Sequence, residues 1–227
     1  MVSSQASLAY PILLFACFMP SYAFARMSLD PEALLKRMEA TYAEVKDYQA
    51  DIEDRTYNPD GSFKTKKFLY TFKEPERIRL DFQTPHSGMV LVYPDKNGEV
   101  AIRPAGFPFF DFHLALDNPL LLVASGQRLD QTDLGLLIKN IGHSLTDQRR
   151  GPAEVVEEGE YIRVQVLADN HFQKGVETRY QFLIDRKLWL PVQVEESTPE
   201  GRLEREIILR NLRTNIGVFD SFFRLDG

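Results

Sequence analysis

The residues best able to do acid–base or metal chemistry in this chain are its four histidines, His86, His113, His143 and His171. No two of them are close in sequence, and none lies in a spacing such as His-Glu-x-x-His, which places two imidazoles on one helix face to bind zinc. The spacing therefore predicts no metal site, and each histidine is interpreted as a surface or loop residue.

Neighbouring carboxylates could act as a general acid–base pair, and they occur at Glu157, Glu158 and Glu160 and at Glu195 and Glu196. Adjacent residues of a strand point to opposite faces of the sheet, so these acids are typical of solvated strand edges. The chain also lacks a Gly-x-Ser-x-Gly elbow, a phosphate-binding loop and a dinucleotide fingerprint. We therefore predict a non-enzymatic protein with no catalytic residue and no cofactor. A hydrolase assembled from residues distant in sequence stays an alternative.

The elements that would position any site are mostly strands. Alternating apolar residues predict strands at 48–56, 68–72, 78–82, 89–93 and 100–102, and again at 154–158, 161–168, 178–184, 190–195 and 203–212. Turn sequences such as Asn58-Pro59-Asp60-Gly61 and Asn97-Gly98 separate them at short intervals. This spacing is typical of an antiparallel barrel or a large curled sheet.

Helices are predicted at the start and in the middle of the chain. Asp30 can cap a helix over residues 31–46 with Pro31 at its first position, and Thr132 can cap a helix over residues 133–145. A short apolar helix is predicted at 120–125. Together these helices either close a core against the sheet or form a lid over a cavity, and the pattern alone favours the core.

Composition limits the partners. The net charge is −6, and binding to nucleic-acid phosphates requires a basic face, so we predict no nucleic-acid partner. Cys17 is the only cysteine, which leaves the chain beyond it without a disulfide or a thiolate metal site.

The N-terminus predicts export. The first 25 residues contain no charged side chain, and Ala23-Phe24-Ala25 fits the small-x-small rule for signal cleavage. We expect a signal peptide at 1–25 and a single domain at 26–227 in the periplasm. A membrane anchor through the same segment and lipidation at Cys17, which follows Leu14-Phe15-Ala16, are the alternatives.

Several segments together resemble a known family. The first helix is followed by Val45-Lys46-Asp47-Tyr48. Residues 68–82 form a predicted strand, a break at Glu74-Pro75 and a second predicted strand. Later in the chain, Leu190-Pro191 begins another predicted strand. In this order the chain resembles the LolA/LolB-like superfamily of periplasmic lipoprotein-sorting carriers and outer-membrane receptors. It departs from the carriers at Glu74, where they have an arginine that holds the lid. The resemblance therefore implies a LolA-like protein of undefined ligand.

The resemblance implies an α+β fold, in which a half-open, strongly curved antiparallel β-sheet (an incomplete barrel) has helices covering its concave face. The implied cavity lining is Phe68, Tyr70, Phe72, Ile78, Leu80, Phe82, Met89 and Leu91. The implied lid is Leu120, Leu121, Leu122, Val123, Leu134, Leu137, Ile138 and Ile141.

The function that the resemblance implies is non-catalytic. It is a carrier or binding protein for lipid, lipoprotein acyl chains or another hydrophobic ligand. The expected partners are a lipid or acylated protein and an inner- or outer-membrane protein, and the chain is expected to be a monomer. The alternative is an envelope sensor or protein-interaction module with the same fold, which would use the segment from Phe107 to Phe112.

Overall fold

The computed structural model describes residues 29–107, 110–121, 126–146 and 150–225. Two α-helices, α1 (Pro31–Tyr42) and α2 (Leu134–Thr146), accompany short 3-10 helices at Pro119–Leu121, Leu129–Gln131 and Asp220–Phe223. The strands are β1 (Asp47–Tyr57), β2 (Phe63–Lys73), β3 (Arg77–Thr84), β4 (Val90–Tyr93), β5 (Val100–Arg103), β6 (Phe112–Leu114), β7 (Glu154–Glu158), β8 (Tyr161–Asp169), β9 (Glu177–Asp185), β10 (Leu190–Ser197) and β11 (Leu203–Thr214).

All eleven strands belong to one antiparallel sheet with the order β6-β5-β4-β3-β2-β1-β11-β10-β9-β8-β7. The first and last strands, β1 and β11, pair along most of their length and join the two halves of the chain. Within the described residues β6 and β7 do not pair with each other, so the sheet stays open. This confirms the predicted fold class, an open antiparallel sheet with helices.

Helix α1 begins as predicted, because the Asp30 carboxylate accepts a hydrogen bond from Glu32 N at 3.2 Å and Pro31 occupies the first turn. It ends at Tyr42, earlier than the predicted end at residue 46. The backbone that follows has another partner: the Asn215 side chain accepts from Lys46 N at 2.7 Å and donates to the Glu44 carbonyl at 3.0 Å. These bonds direct the chain out of the helix and into β1.

Helix α2 is capped by Asp133 and not by Thr132. The Asp133 carboxylate accepts from Gly135 N at 2.7 Å and Leu136 N at 3.1 Å, whereas the Thr132 hydroxyl donates to the Leu129 carbonyl at 2.6 Å. Gly135 faces α1 so closely that an added Cβ would lie 2.5 Å from the Tyr42 ring. The missing side chain therefore lets the two helices pack directly together.

The core lies between the helices and the concave face of the sheet. Both helices contact β10, and α2 also contacts β8. Strands β8 and β9 alternate between buried and accessible positions as the sequence pattern predicts. The side chains at the centre of this core are almost fully buried: Leu34, Met38, Ile138, Ile141, Ile162, Phe182 and Ile184.

Residues 215–225 cross the convex face, and we call this segment the C-terminal strap. Its start is fixed by the buried Asp47 carboxylate, which accepts hydrogen bonds from the backbone N–H groups of residues 216–218 at 2.7–3.2 Å. Its end buries Phe223 and Leu225 against Val92 and Ala101. The strap thus covers the outside of the sheet from β1 to β5.

Two predictions in the middle of the chain were incomplete. Strand β6 was not predicted, because three residues are too few to show alternation within a phenylalanine-rich segment. At the predicted helix 120–125 the structure has a 3-10 turn at Pro119–Leu121. The predicted signal peptide at 1–25, Cys17, Leu122 and Val123 lie outside the described residues. In the described part of the chain, no helix is both long and apolar enough to cross a membrane.

Candidate ligand-binding cavity

A cavity of about 470 Å³ lies between the concave face of the sheet and the segment that carries α2. Its walls come from β1 to β6 on one side, from β9 to β11 on the other, and from the residues before and within α2. Ligand pockets typically measure about 300–1,000 Å³ and are mainly apolar with a few placed polar groups. This cavity matches that description in size and in lining.

The structure brings together six of the eight residues predicted to line a cavity. They are Phe68, Tyr70, Leu80, Phe82, Met89 and Leu91. Phe72 and Ile78 share the same face of the sheet but are buried in the core beside it. Phe72 stacks on Tyr48 with ring centroids 5.1 Å apart, so its ring is used for packing.

The residues predicted to form a lid divide in the same way. Leu120, Leu121, Leu134 and Leu137 line the cavity. Ile138 and Ile141 are buried in the core under the helices and do not line the cavity. Leu122 and Val123 lie outside the described residues.

Sequence reasoning missed the second wall. Ile207 and Leu209 of β11, Val194 of β10 and Phe182 of β9 also face the cavity. Their alternation is visible in the sequence, but their place on this wall depends on the pairing of β1 with β11 across more than 150 residues. A sequence pattern carries no signal for that pairing.

Tyrosine hydroxyls hold the start of α2 across the cavity. Tyr48 Oη accepts from Leu134 N at 3.0 Å, and Tyr70 Oη lies 3.1 Å from Thr132 Oγ1. Burial raises the pKa of both phenols above their ordinary value, so both hydroxyls stay protonated. Glu74, where the resembled carriers have their lid arginine, instead pairs with Lys46 at 3.1 Å.

Charged side chains cluster at one end of the cavity, whose mainly apolar lining also includes polar residues such as Asp133, Asn140 and Gln131. Arg205 Nε and Nη2 bind the two carboxylate oxygens of Asp54 at 3.0 and 3.1 Å, and both side chains are buried. Glu196 lines the same end, and burial raises its pKa above the usual range. The interpretation of Glu196 as a solvated edge residue was therefore wrong. Its neighbour Glu195 is turned to the opposite face, where it accepts from Gln181 and Gln193.

His171 also lines the cavity. Its ring stacks on Tyr180 at 4.3 Å, and its Nε2 lies 2.8 Å from Ser144 Oγ. Burial lowers the pKa of His171 from 6.5 to about 4, so the imidazole is neutral at physiological pH. Ser144 is buried and does not line the cavity. The pair therefore ties α2 to β9 without presenting a nucleophile to a bound molecule.

A second polar cluster lies at the edge of the sheet, where Asp95, Glu99 and His113 bring potential metal-ligating atoms within 4.8 Å of one another. Asp95 Oδ2 lies 2.7 Å from His113 Nδ1, and Asp95 Oδ1 accepts from the backbone N–H groups of Asn97 and Glu99. These bonds account for the cluster as a link between the β4–β5 turn and β6.

No family model matches this sequence, and no curated protein matches it. Solved structures do match its shape. An uncharacterized conserved protein from Thermus thermophilus has 9% identity over 85% of this chain and 91% of that chain, with a TM-score of 0.48.

Two other matches have printed family or complex names. A LolA superfamily protein from Nitrosomonas europaea has 9% identity over 87% of this chain and 98% of that one, with a TM-score of 0.42. MucB in its Pseudomonas aeruginosa complex with MucA has 14% identity over 86% of this chain and 61% of that one, with a TM-score of 0.43. The superfamily that the sequence resembles is thus among the matched structures. TM-scores below 0.5 do not assign the chain to a family, so its function has to be inferred from the cavity itself.

Proposed function

We propose that this protein is a periplasmic binding or carrier protein for a lipid or another acylated ligand, and that it carries its ligand without chemical change. The observation that supports this is the apolar cavity of about 470 Å³ on the concave face of the sheet. A filled core would leave no such space beneath the helices. Cleavage of the expected signal peptide would leave a chain that begins at Arg26, and an intact mass of the exported protein tests this step.

The cavity offers an acyl chain a favourable environment. Burying a methylene group contributes about 0.8 kcal/mol, and the phenylalanine and leucine side chains of β2, β3 and β11 supply the wall. Leu120 lines the cavity and is also 83% exposed, so it marks a place where the cavity reaches the surface. A chain could enter there while a polar head stays near the charged end or the mouth.

Native mass spectrometry with a 16-carbon acyl probe tests the proposal. Leu209→Trp places a large ring on the cavity wall and should weaken probe binding at least about tenfold, since filling the space removes several methylene contacts. Ile208→Trp is the matched control. It is the adjacent residue of β11, is also partly accessible, and does not line the cavity.

The two variants separate cavity binding from surface adhesion. We expect Ile208→Trp to bind the probe like the unmodified protein. If the unmodified protein gives only an apo mass in the presence of the probe, the carrier proposal is wrong. Equal losses in both variants would also contradict it, because the probe would then bind elsewhere.

A second candidate is a protein-interaction module, and exposed aromatic side chains favour it. Phe107 and Phe110 are 65% and 60% exposed, and the Phe110 ring lies 6.4 Å from Phe112 on the cavity wall. Replacing both exposed phenylalanines by serine should abolish co-purification of an envelope partner while acyl binding is kept. If acyl binding is lost and the partner is retained, the segment serves the cavity and the interaction proposal is wrong.

A further inference from the structure

Charged side chains of neighbouring strands meet at one end of the cavity. In the register of the sheet, Arg205 of β11 lies opposite Glu196 of β10 and opposite Thr56 of β1. Asp54, two residues before Thr56, reaches Arg205 from the same face. Charged groups withdrawn from water are costly unless they are paired or bind a ligand. We call Asp54, Glu196 and Arg205 the charged end of the cavity.

Of the two carboxylates in this cluster, only Asp54 is hydrogen-bonded to Arg205. Arg205 uses Nε and Nη2 on the two oxygens of Asp54. The Glu196 carboxylate receives no hydrogen bond and forms no ion pair within 4.0 Å from any described residue. Every fully buried polar side-chain atom of the described residues has a partner. The Glu196 oxygens are therefore not sealed inside the protein, and they open into the cavity that Glu196 lines.

The charge balance around the Glu196 oxygens determines which ligand groups they can bind. The charged residues that line the cavity are Asp54, Asp133, Glu196, Lys66 and Arg205. Three carboxylates and two cations leave one excess negative charge when all five groups are ionised. Lys66 lies opposite Asp54 in the pairing of β1 with β2, but its side chain is exposed and pairs with no described carboxylate within 4.0 Å. Lys66 also lines the cavity, so its charge counts toward this balance, but the Glu196 carboxylate still has no donor among the described residues.

We propose that Glu196 binds the polar head of an amphipathic ligand that donates hydrogen bonds, and that a primary ammonium group matches it best. The acyl or alkyl chain of this ligand lies against the apolar wall formed by β2, β3 and β11. This assignment rests on the proposed carrier function and adds the chemical class of the head group. Asp54 binds Arg205 through two hydrogen bonds and so offsets the positive charge beside Glu196.

Three probes of equal chain length test the head group: hexadecylamine, hexadecanol and palmitic acid, each titrated below the concentration at which it aggregates or precipitates. We expect the amine to bind about tenfold more tightly than the acid, because only the amine donates charge-assisted hydrogen bonds to the Glu196 carboxylate. A tenfold ratio corresponds to about 1.4 kcal/mol. Glu196→Gln keeps the shape and removes the charge, so it should abolish this preference. Glu195→Gln, which changes the adjacent carboxylate on the other face of β10, should keep it.

The outcomes distinguish the head-group assignment from the carrier function on which it rests. If palmitic acid binds as tightly as the amine, or if Glu196→Gln leaves the preference unchanged, the head-group assignment is wrong and the carrier function stands. If none of the three probes binds the unmodified protein, the carrier function itself fails. Loss of the preference in both glutamine variants would contradict the assignment as well, because a general loss of negative charge would then explain it.

Discussion

Two groups of strands in the sheet, β2–β6 and β7–β10, carry similar alternating apolar residues. Their inward side chains pack against different parts of the molecule. On β8 and β9 most inward side chains lie under the two helices, and Ile162, Val164 and Ile184 are fully buried and do not line the cavity. On β2 to β6 many inward side chains, including Phe68 and Phe82, are only partly buried and face the cavity. We call β7–β10 the filled side and β2–β6 the cavity side.

The outer face shows the opposite arrangement. The cavity side is covered from outside by the C-terminal strap, to which Lys73 and Arg79 donate hydrogen bonds at the Val218 and Phe222 carbonyls. The Arg79 guanidinium also lies 4.4 Å from the centre of the Phe222 ring. The part of the sheet whose inner face is only partly packed is thus also covered on its outer face. The position of the helices and the strap, and not the composition of the strands, separates a core from a binding wall.

The two sides should differ most in how far the free energy of unfolding falls when an inward side chain is replaced by alanine. Ile184→Ala removes a fully buried side chain from the filled side and should lower the free energy of unfolding by about 3 kcal/mol, within the range for buried isoleucine. Phe82→Ala on the cavity side should cost only about 1 kcal/mol, because its ring already borders empty space. Urea denaturation measures both values. Equal costs would mean that the cavity side is packed like a core.

Much of the sheet could be predicted because alternation is a local property. Strand β9 was predicted at 178–184 and observed at Glu177–Asp185, and β8 was predicted at 161–168 and observed at Tyr161–Asp169. Local capping chemistry likewise placed the start of α1 at Asp30. The end of α1 was missed, because the bonds to Asn215 that displace it come from a residue far away in sequence.

The candidate site was harder to predict for the same reason. Phe68 and Phe72 follow the same alternation on β2, yet one lines the cavity and the other packs in the core. Glu196 has an unremarkable sequence context, and its role depends on Arg205 and Asp54, which meet only in the folded sheet. Periodicity identifies which face a residue takes, but it does not identify what lies opposite that face.

His171 tests whether the boundary between the filled side and the cavity excludes water. Its pKa is lowered to about 4 from 6.5 because burial disfavours the imidazolium. The unfolded chain then binds more protons than the folded one between these values, so stability is complete above pH 6.5 and is lost as the pH falls toward 4. We expect a loss of about 2 kcal/mol over this window, after discounting for partial exposure of the ring.

The measurement is denaturant unfolding at several pH values. His171→Phe keeps the ring stacked on Tyr180 and should flatten this part of the profile, whereas His86→Asn changes an exposed histidine that does not act on His171 and should leave the slope intact. A slope that persists in His171→Phe would assign the titration to other groups. It would also mean that water reaches the His171 ring.

The smallest predicted effect concerns the support of the cavity side from outside. Asp47→Asn weakens the charge-assisted hydrogen bonds to the N–H groups of residues 216–218 and should cost about 1 kcal/mol, since bonds to ionised acceptors are roughly twice as strong as neutral ones. Hydrogen exchange should then rise in β2–β5, beneath the strap, and stay unchanged in β8 and β9. Asp51→Asn on the same strand is the control, because Asp51 accepts only from the exposed Asn211 side chain among the described residues. A uniform rise across all strands would show that the strap stabilises the whole sheet, and the division into two separately supported sides would then be wrong.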